Sequence, residues 1–278
     1  MPRLQPPEGF VTAKEATKLI GVSDSMLSRY VKEGKINRHG PRDRKQKFYS
    51  RTELEAFIIA RQVTETAYRK GRWRLNASST FRKATLQDLD AIINMSERAY
   101  PAAGLPLRET WAGWIRKNPE SFHVLCNQQS VIVAYATILV MRPATISLFI
   151  QDKLPVDEIG PDKLELFHPG EPLHIYIMSL VVDPQYPARE KHEYGARLIS
   201  SLFSFFLDLA QRGIEVETIT ARSHTADGMR LMRKLGFPQI KSPVPGKHLF
   251  IVKVEESGLH ILEKYSELLA EWRTKHQQ

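Results

Sequence analysis

Cysteine is nearly absent from this sequence. Its single cysteine, Cys126, can close no bridge within the chain, so disulfides cannot carry the fold and a reducing, cytoplasmic setting is expected. Apolar runs near the roughly 18–20 residues that span a bilayer are missing too. The longest candidate, residues 130–141, is short and rich in β-branched side chains, and it reads as a strand. Residues 1–9 contain no apolar segment of the kind that directs secretion. No internal repeat or low-complexity tract is visible, which sets repeat arrays aside. The nine histidines show neither the HExxH pattern nor a Cys–His ligand spacing, so no metal is expected. No Ser-His-Asp or Cys-His arrangement can be argued from residue order.

What remains is the composition of a globular protein: 278 residues, 42% apolar and 26% charged, a length that suggests two domains. The charge is unevenly placed. Residues 1–80 hold 17 Lys/Arg against 8 Asp/Glu, and the rest of the chain holds 23 of each. The whole formal charge of +9 therefore sits in the first third. Such asymmetry points to a head that faces a polyanion, or more simply to a solvated basic surface.

The head spans residues 10–71. Thr12 and Glu15 fit a capping box opening a short helix, with Ala16, Leu19 and Ile20 on its apolar face. Gly21 can end it. Ser23 or Asp24 caps a second helix carrying Met26, Leu27, Tyr30 and Val31 at helical spacing. Gly40-Pro41 marks a turn, and its flanks can pair as a hairpin with five basic residues between Arg42 and Arg51 set around Phe48 and Tyr49. A further capping box, Ser50 with Glu53, opens a third helix through Leu54, Phe57 and Ile58. Two short helices joined by a Gly-containing turn make a helix-turn-helix, whose second helix enters the major groove. Ser25, Ser28, Arg29 and Lys32 are its exposed candidates for base contact. Arg38, Arg42, Arg44, Lys45 and Lys47 are candidates for phosphate contact, which supplies affinity with little sequence information.

Beyond the polar stretch 76–80, strand and helix signals alternate, as in an α/β fold. Strands are expected near residues 81–84, 122–126, 130–142, 174–183, 215–221 and 249–254. Helices are expected at 85–100, 107–117, 194–212, 226–235 and 259–278, and a long loop at 152–172. The divisions are residues 1–75 for the head, 76–80 for a linker, 81–256 for the body and 257–278 for a C-terminal helix.

Both parts resemble known families. Phe10-Val-Thr-Ala-Lys-Glu-Ala-Thr-Lys-Leu-Ile-Gly-Val-Ser, then Leu27-Ser-Arg-Tyr-Val-Lys-Glu-Gly-Lys-Ile, then Phe48-Tyr-Ser-Arg-Thr-Glu-Leu, resemble the winged heads of MerR-type regulators and phage excisionases. This implies binding to double-stranded DNA. It leaves homodimerisation open, because only a modest helix precedes Gly71.

The body resembles the Gcn5-related N-acetyltransferases (GNAT), which implies an α+β mixed sheet of the acyl-CoA N-acyltransferase kind. Ile177-Met-Ser-Leu-Val-Val-Asp-Pro184 looks like the strand whose backbone pairs with the pantetheine arm of acetyl-CoA. Arg189-Glu-Lys-His-Glu-Tyr-Gly-Ala-Arg-Leu198 looks like the pyrophosphate loop and helix start. Leu231-Met-Arg-Lys-Leu-Gly-Phe237 looks like the helix end that closes the site. The cofactor-binding candidates implied are Leu180, Val181, Val182, Lys191, Tyr194, Gly195 and Ala196. Two departures stand out. Glu190 and Glu193 occupy loop positions where the family has an amide or basic residue and a glycine, and carboxylates there repel a diphosphate. Met232 stands where family members often have the tyrosine that protonates the leaving thiolate. His174, Tyr176 and Ser179 are the candidates for catalytic groups.

Three functions follow: a transcriptional regulator whose body is a sensor or interaction module, an active acetyl-CoA-dependent N-acetyltransferase brought to DNA to act on an amine or a protein, and an accessory DNA-binding factor of a mobile element. None calls for a membrane.

Overall fold

In the computed structural model, residues 5–7, 9–32, 36, 38–40, 47–51, 54, 79–100 and 104–276 are described. They fall into two compact units, Met1–Glu65 and Thr66–Gln278.

The first unit runs β1 (Phe10–Thr12), α1 (Ala13–Ile20), α2 (Asp24–Lys32) and β2 (Phe48–Ser50). The predicted capping box is present: Thr12 Oγ1 accepts from the Glu15 N–H, and the Glu15 carboxylate accepts from the Thr12 N–H at 2.8 Å. Gly21 ends α1 in the left-handed region, at φ 65°. Ser23 Oγ accepts from the Met26 N–H at 3.4 Å and so caps α2. The helices bury Ala16, Ile20, Leu27 and Tyr30 against Ile36, Tyr49 and Leu54. In the expected hairpin, His39 and Phe48 exchange both backbone hydrogen bonds, at 2.9 and 2.8 Å. β2 also pairs with β1, Val11 opposite Tyr49. Three residues are too few to show strand alternation, and β1 is not legible from periodicity. Arg51 and Leu54 are helical; the rest of the predicted third helix lies outside the described residues.

The second unit is a mixed α/β fold, as expected. Its order is β3 (Thr80–Lys83), α3 (Leu89–Ala99), α4 (Arg108–Lys117), β4 (Phe122–Cys126), β5 (Ile132–Val140), α5 (Pro143–Ile150), β6 (Leu173–Val182), α6 (Ala188–Gln211), β7 (Val216–Ser223), α7 (Ala226–Lys234), β8 (Gln239–Ile240), β9 (His248–Lys253) and α8 (His260–His276). The seven strands form one sheet in the order β3-β4-β5-β6-β7-β9-β8. β6 and β7 are parallel and the other pairs antiparallel. The parallel pair needs a crossover, which α6 supplies.

Helices cover both faces. On one, α6 and α8 bring Leu202, Phe205, Phe206, Leu262 and Tyr265 onto Ile138, Ile175 and Ile219. On the other, α3, α4 and α5 bring Ile92, Trp111, Trp114 and Phe149 onto Phe122, Tyr135 and Tyr176. The Tyr265 hydroxyl fixes α8 by donating to the Ile214 carbonyl (2.5 Å) and accepting from the Val216 N–H (2.7 Å).

Two expectations are corrected. Residues 152–172 contain two single turns of 3₁₀ helix, Val156–Glu158 and Pro161–Lys163, and bury Leu154, Ile159 and Leu164 in the α3–α5 layer. Those apolar residues lie too far apart to show a period. More important for the site, α6 begins at Ala188 rather than at residue 194. Arg189 and Glu193 form an i,i+4 ion pair at 3.3 Å, and the intervening residues form a helix readily.

Candidate functional site

α2 buries Leu27 and Tyr30 and leaves Ser25, Ser28, Arg29 and Lys32 exposed. Helical spacing puts these four on the side opposite the core. Arg38, one residue before the His39–Phe48 pair, is exposed, and Lys47 beside it is half-buried. Arg42, Arg44 and Lys45 lie outside the described residues. A short helix with exposed hydroxyls and cations thus precedes the His39–Phe48 backbone pair.

In the second unit the site is set by a divergence of strands. β6 pairs with β7 over Leu173–Ile177, whereas its pairing with β5 continues to Val182. The register with β5 shifts at Met178, so that Ser179 faces Thr137 while Ile177 faces Ile138, as a β-bulge does. Beyond Ile177 the strand therefore presents an edge without a β7 partner. Beneath it on the α6 side lies a cleft of about 50 Å³, lined by carbon side chains: Ile177 and Leu180 of β6, Phe203 and Phe206 of α6, Phe237, and Leu259 at the start of α8 among them.

The three residues predicted as catalytic are not gathered there. The His174 ring bonds Thr218 Oγ1 through Nδ1 at 2.9 Å and lies 3.7 Å from the Glu217 carboxylate through Nε2. Tyr176 is buried, edge-on to Phe149 at 5.2 Å, and burial pushes its phenol far up. Arg222 seals that corner, reaching Asp152 at 2.6 Å and the Phe149 carbonyl at 3.2 Å. Ser179 is half-buried on β6, opposite Thr137, and on the neighbouring strand Tyr135 forms a buried hydroxyl pair with Ser96. Ser96 donates its one proton to the Ile92 carbonyl (2.7 Å), so Tyr135 donates to Ser96 (2.6 Å). Met232 is buried with Ala221 and Phe250 and has no proton to give.

The residues expected to hold a diphosphate sit within or beside α6. Lys191 already donates its N–H to the Pro187 carbonyl, and Tyr194 packs edge-on to Tyr186 at 5.1 Å. Gly195 and Ala196 lie in the helix interior, where backbone N–H groups are used by the preceding turn. A Cβ on Gly195 would meet Val182 at 3.6 Å, an ordinary contact, so packing does not demand glycine there. Leu180 lines the cleft, and Val181 is buried in the layer on the opposite face. The helix-start N–H groups with no intrahelical partner are those of Ala188, Arg189 and Glu190. The charges of Arg189, Glu190, Lys191 and Glu193 cancel.

Sequence reasoning missed Leu259, Ile261 and Leu262 as part of this site. Their apolar spacing was legible, but its meaning depends on where α8 docks. Among the described residues no helix is long and apolar enough to cross a membrane, and no three His, Cys, Asp or Glu are placed to hold a metal ion.

A search of curated proteins finds no match. Among solved structures, the loading GNATL domain of CurA from Lyngbya majuscula is similar at 14% identity, covering 65% of this chain and 100% of that one, with a TM-score of 0.46. Arabidopsis thaliana NAA60 in complex with a bisubstrate analogue is similar at 15%, covering 63% and 98%, TM-score 0.42. Drosophila melanogaster polyamine N-acetyltransferase is similar at 14%, covering 63% and 100%, TM-score 0.41. At such identities the substrates of those proteins are theirs alone. The family model described as "Helix-turn-helix domain" matches residues 10–62. Residues 10–62 are thus similar to helix-turn-helix domains.

Proposed function

We propose that the chain is a cytoplasmic DNA-binding transcriptional regulator, in which the helix-turn-helix unit reads an operator and the second unit serves as a sensor or interaction module. The observation that carries this reading is the exposed row Ser25, Ser28, Arg29 and Lys32 on α2, backed by buried Leu27 and Tyr30. Hydroxyl and guanidinium groups on one helix face suit base edges in the major groove, and the basic hairpin residues suit phosphates. In the test, the full chain selects from a randomised duplex library. An enriched motif of one or two half-sites is expected, and no enrichment would overturn the regulator reading.

A second reading, N-acetyl transfer from acetyl-CoA, is favoured by the unpaired edge of β6 beyond Ile177. That edge and the carbon-lined cleft fit an extended thiol arm. The first turn of α6 does not fit the diphosphate that comes with it: Arg189 is tied to Glu193, and Glu190 and Glu193 add charge of the same sign as the ligand. Met232 offers no acid. The balance favours the sensor, and no catalytic step is derived.

A further inference from the structure

The two halves of the body's site disagree with each other, and the disagreement points to a ligand. The anion half is neutralised by Glu190 and Glu193. The apolar half is intact, and its walls come from four elements: Ile177 and Leu180 of β6, Phe203 and Phe206 of α6, Phe237 after α7, and Leu259 before α8. Carbon on every side leaves no group to orient a polar ligand, and a cavity of that kind stays dry and accepts hydrocarbon. We infer that the cleft binds an aliphatic chain carried without a nucleotide diphosphate, and that residues 259–262 form the wall that yields to it. This inference rests on reading the second unit as a sensor.

The wall differs from the rest of α8. Farther along, the helix is fixed by polar contacts: Tyr265 bridges Ile214 and Val216, and Arg273 pairs with Glu215. At its start, Leu259, Ile261 and Leu262 meet the cleft through carbon, and the Leu259 N–H donates to Ser257 Oγ at 3.3 Å, a contact within the same turn. Leu259 also presses on the turn after α7. A Cβ added to Gly236, at φ 77°, would lie 2.4 Å from Leu259 Cδ2. At about 50 Å³ the cleft holds only the end of a chain, since an apolar cavity of roughly 150 Å³ is what accepts benzene. A longer chain has to displace Leu259, which makes the start of α8 the part that registers occupancy.

The test uses the full chain with Ile and Leu methyl groups labelled, titrated with butanoate, hexanoate, octanoate, acetyl-CoA and octanoyl-CoA. Octanoate is expected to move the methyl signals of Leu259, Ile261 and Leu262 and leave Leu19 of the first unit unmoved. Affinity is expected to rise roughly fourfold per added methylene. Leu259→Ala is expected to tighten octanoate binding, and Ile199→Phe, at another α6 residue of the cleft wall, to fill the cleft and weaken it at least tenfold. Ile261→Val replaces Leu259→Ala if that variant does not fold. Octanoyl-CoA is expected to bind no more than a few times tighter than octanoate. Shifts spread evenly over both units, no dependence on chain length, or an octanoyl-CoA affinity ten or more times that of octanoate would each overturn the inference. Octanoate binding that leaves DNA affinity unchanged keeps the site and removes its sensor role. An enriched operator with no octanoate binding keeps the regulator reading and overturns this inference.

Discussion

On α2 of the first unit, Arg29 and Lys32 close the last turn behind exposed Ser25 and Ser28, with Asp24 the acidic residue of the first turn. On α6 of the second unit the exposed first turn carries Arg189 and Glu190, with Lys191 and Glu193 beside them. Both are helix surfaces open to an anion. One presents cations and hydroxyls on its outer face, while the other cancels its own charge. The contrast is one of side-chain charge: the first surface carries net positive charge, and the second carries none. A helix start contributes about half a positive charge, and in the first turns of α6 Glu190 and Glu193 offset the cations Arg189 and Lys191.

The sharpest way to separate the units is by acid. His123 of β4 is buried between Phe81 and Phe205, with ring centroids at 5.0 and 4.5 Å, and burial lowers its pKa to about 4. The unfolded chain takes up that proton near pH 6.5 and the folded unit resists it until about pH 4, so the unfolded state binds more protons between the two. Stability of the second unit should therefore fall as pH drops through this window, by roughly 3 kcal/mol in all. Urea unfolding of wild type and His123→Leu at pH 7, 5.5 and 4.5 checks this, and the variant should lose that share of the slope.

Next in size is Arg29→Ala, expected to cost about 1–3 kcal/mol on the preferred duplex and to relax its sequence preference. Lys47→Ala should weaken binding to all duplexes alike and lower the salt slope by about one. Equal effects of the two would break the assignment of base and phosphate roles. The smallest effect concerns α6. Gly195→Ala should stabilise the second unit by about 0.5–1 kcal/mol, because mid-helix glycine is costly and the new Cβ finds ordinary room. It should leave acetyl-CoA binding unchanged, as calorimetry can show. A loss of binding would mean that Gly195 serves a phosphate loop after all.

Local signals were readable in the sequence. Thr12 with Glu15, Gly21 and Ser23 each act within one helical turn, and all three fall where expected. The apolar run of β6 and most of the order of strands and helices were readable for the same reason, whereas β1, α5 and β8 were not. The start of α6 was not, because the resemblance to a phosphate loop outweighed the plain helical spacing of Arg189 and Glu193. The hydroxyl pair of Tyr135 and Ser96 joins residues far apart in sequence, and no local pattern announces it. The same holds for Leu259 and the cleft: its walls come from separate elements, and only docking brings them together.

The account stands most directly on whether the first unit reads sequence. Anisotropy of the full chain on its enriched duplex, and on a scrambled duplex of the same composition, at about 0.15 M salt, decides it. The account predicts about a thousandfold preference or more for the enriched duplex, reduced at least tenfold by Arg29→Ala. Equal affinity for the two duplexes would contradict it.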